Sequence, residues 1–323
     1  MSFHLLKITS RALRRREVLR HIARMHRAKI HRIAAVAMIL LAAVASIAPS
    51  ARAERPTSES PDIRKAFDRY IQAREARARQ ELADQKTFLW IDTQPPRDRE
   101  RSYSALKHGQ IIVQPSQGCS PQDCGDPPGG LVHDWTAVVF IPGVTLAQTL
   151  ATLQNYDRDS EYYSPQVARS RLLSRDGDNF RVFLRLKQTR LITVVLDTEY
   201  EIHYTAVDGT HAVSTSRSTR VAEIEDAGTP QERVVSSADE HGFLWRLNSY
   251  WRFYQADGGI YIQCNAISLT RDVPAALGWM IGRFIENISR ESLIFTLTAT
   301  RQAVLNESAG AARNKSPNTR SRR

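Results

Sequence analysis

Four stretches between Val167 and Ala222 alternate apolar and polar residues, and short turns separate them. A period of two sends successive side chains to opposite faces of a strand. In Thr193–Ala206, Val194, Leu196, Tyr200, Ile202 and Tyr204 alternate with Asp197, Glu199, Glu201 and His203, as a sheet with one buried and one wet face requires. Asp176-Gly177-Asp178 and Asp208-Gly209 mark turns. Asp257-Gly258-Gly259 joins two further β-prone runs, since Asp-Gly supplies the positive φ of a tight hairpin. Short connections make such a sheet antiparallel. Asp272-Val273-Pro274 then starts a helix in which Leu277, Ile281, Phe284, Ile288, Phe295 and Ala299 recur at threes and fours. An apolar stripe running to Val304 needs a sheet face to cover, so the class is α+β.

Upstream, His133–Ile141 reads as a strand with Trp135, Ala137, Val139 and Ile141 on one side. Thr145 caps a helix carrying Leu146, Leu150 and Leu153, followed by the polar, tyrosine-containing turn DRDSEYYSP. A helix from Asp62 to Gln85 has a thin apolar stripe (Ile63, Ala66, Phe67, Tyr70, Ile71) and is expected to pack on the main domain. Phe88–Ile91 is a short apolar run, a strand or an anchor, ended by Pro95-Pro96. Gln110–Val113 reads as a second short strand.

The segment from His241 to Cys264 concentrates large rings. Phe243, Trp245, Leu247, Trp251 and Phe253 occupy odd positions, and Arg246, Tyr250, Arg252 and Tyr254 occupy even ones. The odd set is expected to face the last helix, where rings serve as core near the helix and as cavity wall at an open end.

The ends of the chain read differently. Residues 1–32 are basic, Ile33–Ala48 is apolar, and Ala51-Arg52-Ala53 has small residues where a leader is cut. This is the pattern of a secretory signal peptide cleaved after Ala53, giving a periplasmic or secreted product that begins at Glu54. Residues 1–53 hold eleven Lys/Arg and one acid, so the remainder keeps about +1 of the chain's formal +11. That balance argues against nucleic acid as a partner. The tail from 306 to 323 is basic and poor in apolar residues, so it is expected to be disordered and solvated, with weak contact to an anionic membrane surface or a polyanion as its available roles. Cys119 and Cys124 share a Gly/Pro-rich loop and, in an exported protein, read as a disulfide; Cys264 reads as a buried free thiol.

Between His133 and Val304 the order is strand, helix, polar turn, six hairpin-linked strands, long helix. The closing run VPAALGWMIGRFIENISRESLIFTLTATR has Pro at its start, Trp in its first turns and Arg-Glu-Ser-Leu in its middle, after the strand end Ile267-Ser268-Leu269-Thr270. This stretch resembles the START-like, helix-grip superfamily, which includes polyketide cyclases and coenzyme-Q-binding proteins. The resemblance implies a curved antiparallel sheet wrapped around the C-terminal helix, with a hydrophobic ligand cavity between them. In that family the cavity carries sterols, lipids, quinones or polyketides, and some members are enzymes. Trp135, Phe243, Trp245, Trp251, Phe253 and Phe284 are the candidate ligand contacts. The expected organisation is a signal peptide (1–53), an extension with helix and disulfide loop (54–130), the START-like domain (131–305) and the tail (306–323).

The sequence lacks a Gly-x-Ser-x-Gly elbow, a His-Glu-x-x-His helix and a Gly-rich phosphate loop. His133 and Asp134 are adjacent on a strand and point to opposite faces, so they make a poor acid–base pair. Arg246 and Arg252, if buried, need acidic partners such as Glu199 or Glu201 across the sheet. No catalytic residue, metal or cofactor is assigned. Three functions fit: a carrier for a lipid-like molecule, an envelope interaction module with a filled cavity, or a cyclase- or hydrolase-type enzyme using the same cavity.

Overall fold

The alternating runs form strands, and the short connections pair them. The computed structural model describes residues 59–83, 87–116, 127, 129–189, 192–272 and 275–315, with side chains 287–313 in the last helix. The proposed leader, Cys119, Cys124 and the side chain of Phe284 lie outside the described residues.

Helix α1 spans Pro61–Ala83 and α2 spans Pro96–Lys107, with a single 3₁₀ turn between them at Trp90–Thr93. Strands β1 (Ile112–Pro115) and β2 (Gly130–Pro142) lead to α3 (Leu146–Leu153), a 3₁₀ turn at Tyr156–Arg158 and the one-turn helix α4 (Asp159–Tyr162). Then come β3 (Val167–Asp176), β4 (Asn179–Thr189), β5 (Thr193–Ala206), β6 (His211–Glu225), the two-residue β7 (Arg233–Val234), β8 (Arg246–Ala256) and β9 (Gly259–Arg271). Helix α5, Ala275–Lys315, closes the chain. The sheet order is β1-β2-β9-β8-β6-β5-β4-β3, with every neighbouring pair antiparallel and β7 on β6.

On one face, Ala137, Val139, Ile141, Phe253, Ile260, Ile262 and Cys264 are buried together with Leu293, Leu297 and Val304 of α5. Thr300 continues that helix face and is also fully buried. The stripe that meets the sheet is therefore 293/297/300/304, and Phe295 and Ala299 lie beside it, half-buried. Leu293, Ile294, Phe295 and Leu297 are apolar on several sides of the helix, so periodicity alone does not choose among them. The helix also continues past Val304 into the segment read as a tail. Ala309, Ala311 and Ala312 favour helix, and Glu307 accepts from Arg158 at 2.6 Å. A curved antiparallel sheet gripping a C-terminal helix is a helix-grip arrangement.

The opposite face is covered by the extension. Ile63, Phe67 and Ile71 of α1 pack with Trp245, Ile267 and Leu269. Leu89, Ile91 and Leu106, from the 3₁₀ turn and α2, pack with Val138, Phe140 and Tyr261. Phe88–Ile91 is thus an anchor rather than a strand. Ion pairs also tie α1 and the residues before it to the sheet: Glu59 with Arg246 at 2.8 Å, Arg74 with Asp134 at 2.8 Å, and Glu81 with Arg252 at 2.7 Å. The partners of Arg246 and Arg252 therefore come from this extension, and neither Glu199 nor Glu201 supplies them. No described helix is long and apolar enough to cross a membrane.

Candidate functional site

The gripped face divides in two. Around Val139, Phe253 and Ile262 it is apolar and sealed by α5, with Phe253 1% exposed. Towards the end where β9 finishes and α5 begins, the register brings small side chains together. Tyr200, Ile202 and Tyr204 of β5 stand opposite Ser218, Ser216 and Ser214 of β6. Ser216 and Ser214 stand opposite Ser249 and Trp251 of β8. Leu247, Ser249 and Trp251 stand opposite Ser268, Ala266 and Cys264 of β9, and these meet His133, Trp135 and Ala137 of β2. The result is a floor of five serines and Ala266, with Trp135 and Trp251 half-buried on it. Trp251 Nε1–H donates to Ser249 Oγ at 3.1 Å, and Leu247 N–H donates to Ser218 Oγ at 3.0 Å, so the floor is ordered by its own hydrogen bonds.

Tyr200 stands at the edge of this floor. It is 5% exposed, and its hydroxyl has no hydrogen-bond partner among the described residues. Thr198, on the same face, donates its own hydroxyl proton to the Leu184 carbonyl at 2.8 Å. Burial, partly offset by the neighbouring Thr198 hydroxyl, pushes the Tyr200 phenol up to about 12, so it stands as a neutral O–H donor. Leaving such a group unpaired costs about 1–3 kcal/mol, which an acceptor placed beside it would recover.

A second polar cluster lies beside Tyr204. The Tyr156 and Tyr204 hydroxyls are 2.9 Å apart, and the Tyr163 hydroxyl lies 3.0 Å from Thr300 Oγ1 of α5. Asp159, first residue of α4, is 7% exposed, and burial, then the charge of Asp157, holds its carboxyl well above the usual range. The segment is pinned to β3, because Asp157 Oδ1 accepts from Leu172 N–H at 2.8 Å and Ser170 Oγ accepts from Ser160 N–H at 2.9 Å. A neutral carboxyl among tyrosine hydroxyls offers protons and hydrogen bonds. Among the described residues the cluster brings together no nucleophile and base.

Trp135, Trp251 and Phe253 all stand on the gripped face. Trp245 does not: it is buried under α1 on the opposite face, contrary to the alternation drawn through it. Phe243 is 40% exposed and stacks on His241. The cause is local. The Glu223 carboxylate accepts backbone N–H bonds from His241, Gly242 and Phe243, and Gly242 has φ +73. A Cβ on Gly242 would meet Arg271 Cβ at 2.5 Å, so only glycine fits the bend. The strand begins at Arg246, and period two holds only from there.

His133 and Asp134 face opposite sides, His133 Nε2 lying 3.1 Å from Thr270 Oγ1 and Asp134 accepting from Tyr70 and Arg74. Arg185 is buried between Asp197 and Glu232. Cys264 is a free, buried thiol. Among the described residues no three His, Cys, Asp or Glu side chains are placed to hold a metal. Sequence reasoning missed Tyr200, the serine floor, Tyr156, Asp159 and Tyr163. The alternating serines of STSRST and the tyrosines of DRDSEYYSP were the available signals.

No family model and no curated protein matches the chain. Solved structures do. A STAR-related lipid transfer protein from Xanthomonas axonopodis is 16% identical over 59% of this chain and 98% of its own, with a TM-score of 0.37. Human STARD10 is 9% identical over 68% and 84%, with a TM-score of 0.39. The Zhui aromatase/cyclase from Streptomyces sp. R1128 is 12% identical over 57% and 96%, with a TM-score of 0.34. At such scores the likeness decides nothing about ligand or activity.

Proposed function

We propose that this chain is an exported binding or carrier protein for a lipid-like molecule with an apolar body and at least one hydrogen-bond acceptor. The ligand lies on the serine floor of the gripped face, beneath the first turns of α5, against Trp135 and Trp251. One observation carries this reading: the buried Tyr200 hydroxyl has no hydrogen-bond partner among the described residues and stands on a floor of small side chains. Serines and Ala266 fill little of the space that larger side chains would take, and the hydroxyl supplies a donor. Apolar area buried there, at about 25 cal/mol per Å², supplies affinity without an ionic contact.

The leader pattern of residues 1–53 supports export, and the Cys119–Cys124 disulfide belongs to the same proposal. The enzyme reading draws on the Asp159–tyrosine cluster, which provides acids without a base, so the carrier reading is preferred. Mass spectrometry of the organic extract of protein purified from its native host tests the proposal. A stoichiometric apolar compound supports it; an empty extract, with no binding of fatty acids, quinones or hopanoid-type lipids to the apoprotein, refutes it.

A further inference from the structure

The covered face holds a second opening. The apolar stripe of α1 runs Ile63, Phe67, Ile71 and then stops, because the next positions on that face carry Glu75 and Ala78. A cavity of about 190 Å³ remains between the second half of α1 and the sheet, walled by Ala78, Leu82, Val213 and Ile267. Arg74, Arg79, Arg217 and Arg252 border it, and Glu75 is the one carboxylate among its lining residues.

Three of these cations are matched. Arg74 pairs with Asp134, Arg217 with Glu75, and Arg252 with Glu81 while also donating to the Phe88 carbonyl. Arg79 is exposed at the mouth and has no ion pair among the described residues. Arg252 is buried at the cavity wall, its side chain 8% exposed, and so is Asn265, 8% exposed.

We infer that this cavity binds a small carboxylic acid with a compact apolar body, an aromatic or branched-chain acid, as its anion. The size sets the body, since an apolar cavity of about 150 Å³ accepts a single benzene ring, whereas drug-sized ligands take roughly 300–1,000 Å³. The charge sets the head group, since the Arg79 guanidinium, with no ion pair among the described residues, matches a carboxylate in a bidentate pair. The aliphatic stems of the arginines extend the apolar wall, with the Arg252 head group held inside by Glu81 and the Phe88 carbonyl and Arg79 exposed at the rim. This site lies on the α1 side of the sheet and the serine floor on the α5 side; Ser214 and Trp251 border both, so the two sites are separated by the Arg79→Glu variant, which touches only this cavity.

Titration of the full mature chain with benzoate, phenylacetate and neutral benzamide, followed by calorimetry and by tryptophan fluorescence, tests the inference. Benzoate or phenylacetate is expected to bind at least tenfold more tightly than benzamide. Arg79→Glu, at an exposed position, is expected to weaken the acids at least tenfold and leave benzamide unchanged. Ala78→Trp, which fills the cavity, is expected to abolish binding of all three. Equal affinity for acid and amide, unchanged affinity in Arg79→Glu, or no saturable binding by 10 mM acid overturns the proposal. Arg79→Glu keeps the test valid if Ala78→Trp does not fold.

Discussion

Trp245 and Trp251 stand on opposite faces of one sheet, Trp245 beneath α1 and Trp251 against the core gripped by α5. Their removal should therefore separate stability from ligand contact. Trp245→Ala is expected to cost about 3–5 kcal/mol in denaturant unfolding and leave affinity for the serine-floor ligand unchanged. Trp251→Ala is expected to weaken that affinity. Equal loss of affinity in both variants would contradict the assignment of faces.

The hold of α1 on the sheet is mainly apolar. Phe67 is 2% exposed, so Phe67→Ala is expected to cost about 3–5 kcal/mol. Glu75→Gln removes a pair whose Arg217 side chain is 54% exposed, and is expected to cost about 0–1 kcal/mol. Urea midpoints of the two variants decide it; the reverse ranking would make electrostatics the dominant attachment.

Asp159 gives the core a pH dependence. Its folded-state pKa is raised by burial, so its contribution is fully present below the unfolded value, near 4, and is lost as pH rises towards the folded one. Asp159→Asn is therefore expected to be neutral at pH 3.5 and increasingly stabilising above about pH 4, levelling off once the wild-type carboxyl ionises. Thermal midpoints of both proteins across pH 3.5–8 measure this. A gain that does not vary with pH would mean that the charge of Asp159 is not the cause.

Export and redox state are checked together. N-terminal sequencing of the secreted product is expected to start at Glu54. Its intact mass is expected to show Cys119 and Cys124 joined and Cys264 reduced. Burial pushes the Cys264 thiol up, so it should react with thiol reagents only after unfolding. A labelled Cys119 or Cys124 in native, non-reduced protein contradicts the disulfide.

The sheet was legible because its strands keep a clean alternation, and β5 matches its expected bounds, Thr193–Ala206. Helix α2 was not. Its sequence PRDRERSYSALK has few apolar residues, so no stripe announces it, and Pro95-Pro96 reads equally as a stop or as the first turn of a helix. Tyr200 was placed on the buried face by alternation, but a hydroxyl without a partner is a property of its tertiary neighbours. The face of Trp245 was lost to a single side chain, Glu223, whose hold on three backbone amides delays the strand to Arg246.

Ser216 lies mid-floor, opposite Ile202 and Ser249, and Ser216→Phe asks directly whether that floor is open to a ligand. The decisive measurement is a fluorescence titration of wild type and Ser216→Phe with fatty acids, isoprenoid quinones and hopanoid-type lipids, alongside their unfolding midpoints. The proposed function predicts saturable binding by wild type, and a Ser216→Phe protein that folds with nearly unchanged stability and no longer binds. Wild type that binds none of these lipids, together with a Ser216→Phe protein destabilised by the roughly 1–3 kcal/mol of an overpacked core, would contradict it.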